Sequence, residues 1–208
     1  MHDLGKGLRL LGPDDYRRMR WKNGQGWTTE IAVSPVDAGL NGKPFDWRIS
    51  MADIEEDCEF SSFPGYDRTI LVAEGKGMEL NFDAAPSQRL AEPYVPFGFR
   101  GEWHTRCRLL NGPVRDFNVM SARARWQHHC DIARGGKVTP ARDRHAEILI
   151  AHCLRGHTEI SGPAGLQYEL QAQETLICEG AAIPALELGP ASAATVLAVI
   201  SLKPGGPA

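Results

Sequence analysis

Sustained helical periodicity is almost missing from this 208-residue chain, which excludes a helical bundle and leaves a fold made of strands. Cysteine is sparse. The five thiols (Cys58, Cys107, Cys130, Cys153 and Cys178) are odd in number, stand apart and form no C-x-x-C pair. That excludes a disulfide framework or a zinc knuckle and leaves small buried hydrophobes. No run of about 18 apolar residues is present, and the opening MHDLGKGLRLLGPDDY lacks the basic start and unbroken apolar stretch of a secretory signal. A cytoplasmic protein without a membrane partner is expected. Charge of one sign is also missing: 23 Lys and Arg are interspersed with 26 Asp and Glu, giving a net charge of −3. There is no basic stripe for a phosphate backbone, so nucleic acid is not an expected partner. Neither G-x-G-x-x-G, a phosphate loop nor a G-x-S-x-G nucleophile turn occurs. A metal site on a strand needs histidines two residues apart, aimed at one ion, and that spacing is absent. His128 and His129 are consecutive, His152 and His157 straddle a turn, and His2, His104 and His145 stand alone. No metal and no cofactor are expected.

What is present is short apolar alternation, punctuated by Gly, Pro, Asn and Asp, in a chain that is 42% hydrophobic and 24% charged. This is the pattern of an all-β antiparallel sandwich or barrel with a buried core. Strands are expected at 28–34, 46–54, 69–74, 78–82 and 115–121, then at 146–154, 157–161, 167–170, 174–178 and 194–202. A single short helix is expected where Pro13, Asp14 and Asp15 precede Tyr16 to Met19. Arg68 to Leu80 and His145 to Ile160 share one layout of β-branched strand, glycine turn and shorter alternating strand, the same hairpin used twice. A further hairpin around Glu174 makes the kind of return that closes a jelly roll. Two consecutive jelly-roll barrels follow, residues 1–133 with the ligand site and 134–208 after it, with Arg134 to Arg144 as the linker.

Three segments have the composition of a binding site. Arg20-Trp21-Lys22-Asn23-Gly24-Gln25-Gly26-Trp27 sets two indoles, a cation and an amide around a flexible turn. Trp21 and Trp27 would cover a ligand's apolar face while Lys22 and Asn23 met a carboxylate or carbonyl. A plainer arrangement folds both indoles onto the core and leaves Lys22 in solvent. In Asp46 to Asp53 the period of two puts Arg48, Ser50 and Ala52 on one face and Trp47, Ile49 and Met51 on the other. Arg48 inside a barrel would need a carboxylate, from protein or from ligand; outside, it pairs with a surface acid. Likewise Asp116, Asn118 and Met120 share a face opposite Phe117 and Val119, to orient a polar ligand or to hold a neighbouring loop. Asp67 beside Arg68, at the end of Phe63-Pro64-Gly65-Tyr66, reads as a structural turn.

The blocks Arg20-Trp-Lys-Asn-Gly, Asp46-Trp-Arg-Ile-Ser, Phe63-Pro-Gly-Tyr-Asp-Arg and Arg115-Asp-Phe-Asn-Val-Met together resemble the HutD/Ves family of bacterial histidine-utilisation accessory proteins. The resemblance spans Leu8 to Ser121, with Gln25 standing where the family's first block carries glycine. It implies a bicupin fold and a role in sensing or limiting intermediates of histidine degradation such as formylglutamate or urocanate. Both ligands are carboxylates. The resemblance therefore implies a ligand site made of Lys22, Arg48 and Arg68 with Trp21, Trp27, Asn23, Asp116 and Asn118. The expected function is a metal-independent carboxylate-binding regulator in which Arg48 clamps the anion bidentately and Lys22 adds a second charge. The alternative is a cupin-fold enzyme on a small carboxylate, working through Asp67, Asp116 or His104 as general acid or base, or through a metal. Exposed strand edges favour a homodimer.

Overall fold

The computed structural model describes residues 2–5, 7–21, 26–38, 43–135, 145–190 and 193–205. Its strands begin with β1 (His2–Gly5), β2 (Leu8–Leu11), β3 (Arg17–Arg20), β4 (Gly26–Ser34), β5 (Trp47–Ile54) and β6 (Cys58–Glu59). They continue with β7 (Tyr66–Glu74), β8 (Met78–Phe82), β9 (Gln88–Leu90), β10 (Phe97–Arg100), β11 (Thr105–Leu109) and β12 (Val114–Ala122). The last are β13 (Trp126–Arg134), β14 (Ile148–Arg155), β15 (His157–Gly162), β16 (Leu166–Gln171), β17 (Thr175–Glu179), β18 (Glu187–Pro190) and β19 (Val196–Pro204). Among the described residues no helix is long and apolar enough to cross a membrane.

The chain divides into two compact units, Arg17–Gln127 with Gly205–Ala208, and Met1–Tyr16 with His128–Pro204. This differs from the expected division at 133/134. Leu8–Leu11 ladders onto β17, with Leu10 opposite Leu176, and β13 lies beside β19, so both belong to the sheet of the second barrel. Backbone pairing, which is not local in sequence, decides the boundary.

In the Arg17–Gln127 unit a six-stranded sheet, β10-β7-β12-β5-β4-β3, accompanies a four-stranded one, β6-β11-β8-β9. Alternation sends Ile54, Ile70, Val72 and Val114 of the first and Cys58, Met78, Leu80, Leu90 and Cys107 of the second into one shared core. Register sets what lies beside what. Along β5 and β12, Arg48 is opposite Met120, Ser50 opposite Asn118 and Ala52 opposite Asp116. Across β12 and β7, Met120 is in turn opposite Arg68, so the two arginines flank one methionine in a single row. Trp47, Ile49, Met51, Phe117 and Val119 point the other way and are buried.

The expected helix is not formed. Pro13–Asp15 make one 3-10 turn, closed by Gly12 N–H donating to Asp15 Oδ2 at 2.9 Å, and the chain then extends as β3. Arg17 stands opposite Glu30 and Met19 opposite Thr28, so ladder bonds replace the helical ones.

In the other unit the sheets are β1-β2-β17-β14-β19-β13 and β16-β15-β18 around a core that includes Leu149, Ile160, Leu170 and Leu197. Within it, His152 Nδ1 lies 2.8 Å from Thr175 Oγ1. Tyr16 Oη, 2.7 Å from the same hydroxyl, donates to the Gln173 carbonyl at 2.5 Å. Burial pushes the His152 imidazole down to about 3, so it is neutral.

Candidate ligand-binding site

A cavity of about 560 Å³ opens on the lumen face of the Arg17–Gln127 unit. Its floor is Arg48, Ser50 and Ala52 of β5, Asp116, Asn118 and Met120 of β12, and Arg68 of β7. Met19, Arg20, Trp21 and Thr28 form one wall, and Glu59, Phe60, Ser61 and Phe63 another. This size suits a small molecule.

Arg68 dominates its chemistry. The side chain is 6% exposed, yet no carboxylate stands within 4.0 Å of it among the described residues. Its guanidinium carbon lies 4.8, 5.3 and 5.6 Å from the ring centroids of Phe99, Phe60 and Phe63. One long bond at 3.5 Å reaches the Ser61 carbonyl, and Nε is buried without a partner. Aromatic faces offset part of the cost of burying a cation, but they leave its N–H donors unmatched. Phe63 is held in turn by edge contacts with Phe45 and Tyr66.

Arg48 is differently placed. Its Nε donates to Glu30 Oε2 at 2.8 Å, and the other oxygen of Glu30 takes Arg17 at 2.8 Å. Glu30, 4% exposed, is thus clasped between two guanidinium groups, and the bidentate clamp expected of Arg48 is partly spent on it. The alternation along β5 does not identify this partner. Glu30 was detectable as the lone carboxylate in an otherwise uncharged strand, Gly26–Ser34.

Asp116 accepts the Ala52 N–H at 3.1 Å. Burial outweighs the attraction of Arg68 and pushes its carboxyl up to about 7. Asn118 contributes a buried Oδ1 without a partner. Such atoms are rare in folded interiors, and here one unmatched acceptor and one unmatched donor border the same space.

Trp21 stands over Gly26, its N–H donating to the Gly26 carbonyl at 3.0 Å and its indole N–H to Thr28 Oγ1 at 2.8 Å. A Cβ on Gly26 would lie 3.1 Å from that indole and 2.5 Å from the Asp53 carbonyl, so only glycine admits this approach. Trp27 does not join the site. It alternates with Thr28 to the opposite face, where Arg18 and Arg20 stack on its ring at 4.9 and 5.8 Å. Lys22 and Asn23 lie outside the described residues. Asp67 binds Arg123 at 2.8 Å, and His104 is exposed beside Glu59 at 3.7 Å, so neither lines the cavity.

The lining holds the guanidinium groups of Arg48 and Arg68 beside the carboxylates of Glu59 and Asp116, while Arg20 turns its guanidinium onto Trp27, and it includes neither histidine nor cysteine. Among the described residues no group of three His, Cys, Asp or Glu gathers as for a metal.

The HutD family profile matches residues 13–197. The chain belongs to the HutD family. An uncharacterised 21.2 kDa protein from the hutC 3′ region of Pseudomonas putida is 48% identical over 154 residues, 74% of this chain and 77% of the relative. Protein Ves of Escherichia fergusonii is 35% identical over 111 residues, 51% of this chain and 56% of its own. Among solved structures, HutD from Pseudomonas fluorescens, in a formate condition, superposes with a TM-score of 0.76 at 32% identity, covering 96% of this chain and all of the other. A cupin 2 conserved barrel protein from Leptotrichia buccalis, 9% identical, superposes at 0.57 over 89% of this chain and 92% of its own, likeness of fold alone. The all-β bicupin fold expected from the HutD resemblance is the fold of this chain.

Proposed function

We propose that this HutD-family protein is a cytoplasmic binder of a small organic carboxylate, serving histidine utilisation by sensing or limiting an intermediate such as formylglutamate or urocanate. The observation that carries the proposal is Arg68, a buried cation facing a cavity with its Nε unmatched. A carboxylate there completes its hydrogen bonds in a place where such bonds are strong. Trp21, Phe60 and Phe63 cover the ligand's apolar body, and Asn118 Oδ1 accepts an N–H, which a formamide or an imidazole supplies. Arg48, fixed by Glu30, adds positive potential rather than the primary clamp. The P. putida relative beside hutC is in keeping with the histidine link. A thermal-shift screen of formylglutamate, urocanate, histidine and glutamate tests the reading. At least one carboxylate should raise the melting temperature of the wild type and not of Arg68→Gln; no shift with any would oppose it.

Asp116 favours a second reading. A carboxyl near neutrality inside a cavity has the proton affinity of a general acid or base. Proton NMR of each ligand incubated with the protein separates the readings: a new product signal, lost in Asp116→Asn, would mark an enzyme.

A further inference from the structure

The five cysteines look isolated in the sequence, but β6 and β11 set Cys107 directly opposite Cys58. Both side chains enter the same core, where Cys107 Sγ lies 3.6 Å from Met78 Sδ. Opposed residues of an antiparallel pair have Cα atoms about 4.5–5.5 Å apart. That lies inside the roughly 4.4–6.8 Å that a disulfide spans. The other thiols are disposed differently. Cys153 Sγ points at the carbonyls of Arg155 and Gly156, both at 3.5 Å, and Cys178 stands opposite Leu149.

Two further observations give the pair access and consequence. A groove of about 440 Å³, lined in part by Cys58, Cys107, Arg106 and Arg108, reaches both residues and admits a small oxidant. Strand β6 is a two-residue edge of its sheet, and the chain that leaves Cys58, from Glu59 to Phe63, is the cavity wall that packs Phe60 and Phe63 on Arg68. A covalent link at Cys58 therefore fastens this wall to β11.

We propose that Cys58 and Cys107 are an oxidisable dithiol, a modification site at which a peroxide converts two thiols into one cross-strand disulfide that fixes the cavity wall. Cys58 is the first to react, since it is the more exposed of the two, 8% against 3%, and lies on the edge strand. Its sulfur attacks one oxygen of hydrogen peroxide, the O–O bond breaks, and a sulfenic acid and one water result. The Cys107 sulfur then attacks that sulfur; the S–S bond forms as the S–O bond breaks, and the hydroxyl leaves with the Cys107 proton as a second water. Two thiols lose two electrons, and one peroxide becomes two waters. The site does not depend on the identity of the cavity's ligand.

The test exposes the full-length reduced chain to hydrogen peroxide, blocks remaining thiols with iodoacetamide and reads intact mass and peptide map. The expected result is a disulfide-linked peptide joining Cys58 to Cys107, three alkylated cysteines, a loss of about 2 mass units before alkylation, and reversal by dithiothreitol. Cys58→Ser and Cys107→Ser should each abolish the link. The wild-type map decides alone if either variant folds poorly: five alkylated thiols, oxygen added without a link, or a link through Cys130, Cys153 or Cys178 would overturn the proposal. Amide exchange over Glu59 to Phe63 should slow in the oxidised chain, and unchanged exchange would overturn the claim that the wall is fixed.

Discussion

Arg68 and Asp116 border one cavity without forming an ion pair, and burial drives both towards neutrality. The guanidinium falls to about 10 and the carboxyl rises to about 7. Each helps retain the other's charge, but the loss of water is the larger effect on both.

Carboxylate binding should weaken as pH rises through about 7. Below that value Asp116 is protonated and Arg68 presents an uncompensated cation; above it the Asp116 anion competes with the ligand. With one proton linked to binding, the dissociation constant rises by up to about tenfold per pH unit. Titration calorimetry across this range checks it, and Asp116→Asn should flatten the dependence.

Stability should carry two opposed slopes. Asp116 has a folded pKa raised from 3.8 to about 7, so the folded state holds its proton longer and this contribution falls as pH rises between those values. His152 has a folded pKa lowered from 6.5 to about 3, so its contribution is complete above 6.5 and is lost as pH falls towards 3. Each slope is at most about 1.4 kcal/mol per pH unit. Urea unfolding of Asp116→Asn against wild type isolates the first, and NMR of the His152 ring, which should not titrate near neutrality, checks the second.

Glu30 should matter more to stability than either arginine it binds. Glu30→Ala strands the half-buried Arg48 without its carboxylate and should cost about 3–5 kcal/mol. Arg48→Ala leaves Glu30 its bond to Arg17 and should cost about 1–3 kcal/mol. A double-mutant cycle in urea should return a coupling of the same sign.

The period of two made much of this site legible. Reading Arg48 with Ser50, and Asp116 with Asn118, onto shared faces needed only the alternation of β5 and β12, and all of them line the cavity. Alternation alone could not choose between Trp21 and Trp27, since Trp21 stands outside the strand and its place depends on Gly26. Of the strands outside the expected set, β3, β6 and β9 are two to four residues long, too short to show a period, while β11 and β13 are polar at more than half of their positions. The partner of Arg48, the aromatic seat of Arg68 and the facing of Cys58 by Cys107 are products of register, which no local stretch encodes.

The two tryptophans should therefore separate in binding. Trp21→Ala should weaken a carboxylate ligand by about tenfold or more through lost apolar contact. Trp27→Ala should leave affinity unchanged, since its ring meets Arg18 and Arg20 on the other face. Equal losses in both would oppose the geometry of β4.

The most direct measurement is calorimetric titration of formylglutamate and urocanate into wild type and Arg68→Gln at a pH below about 7, with circular dichroism confirming that the variant folds. Saturable binding to the wild type, weakened at least about 100-fold in the variant, is the predicted result. Equal affinity in a folded variant, or no heat from either ligand with the wild type, would contradict it.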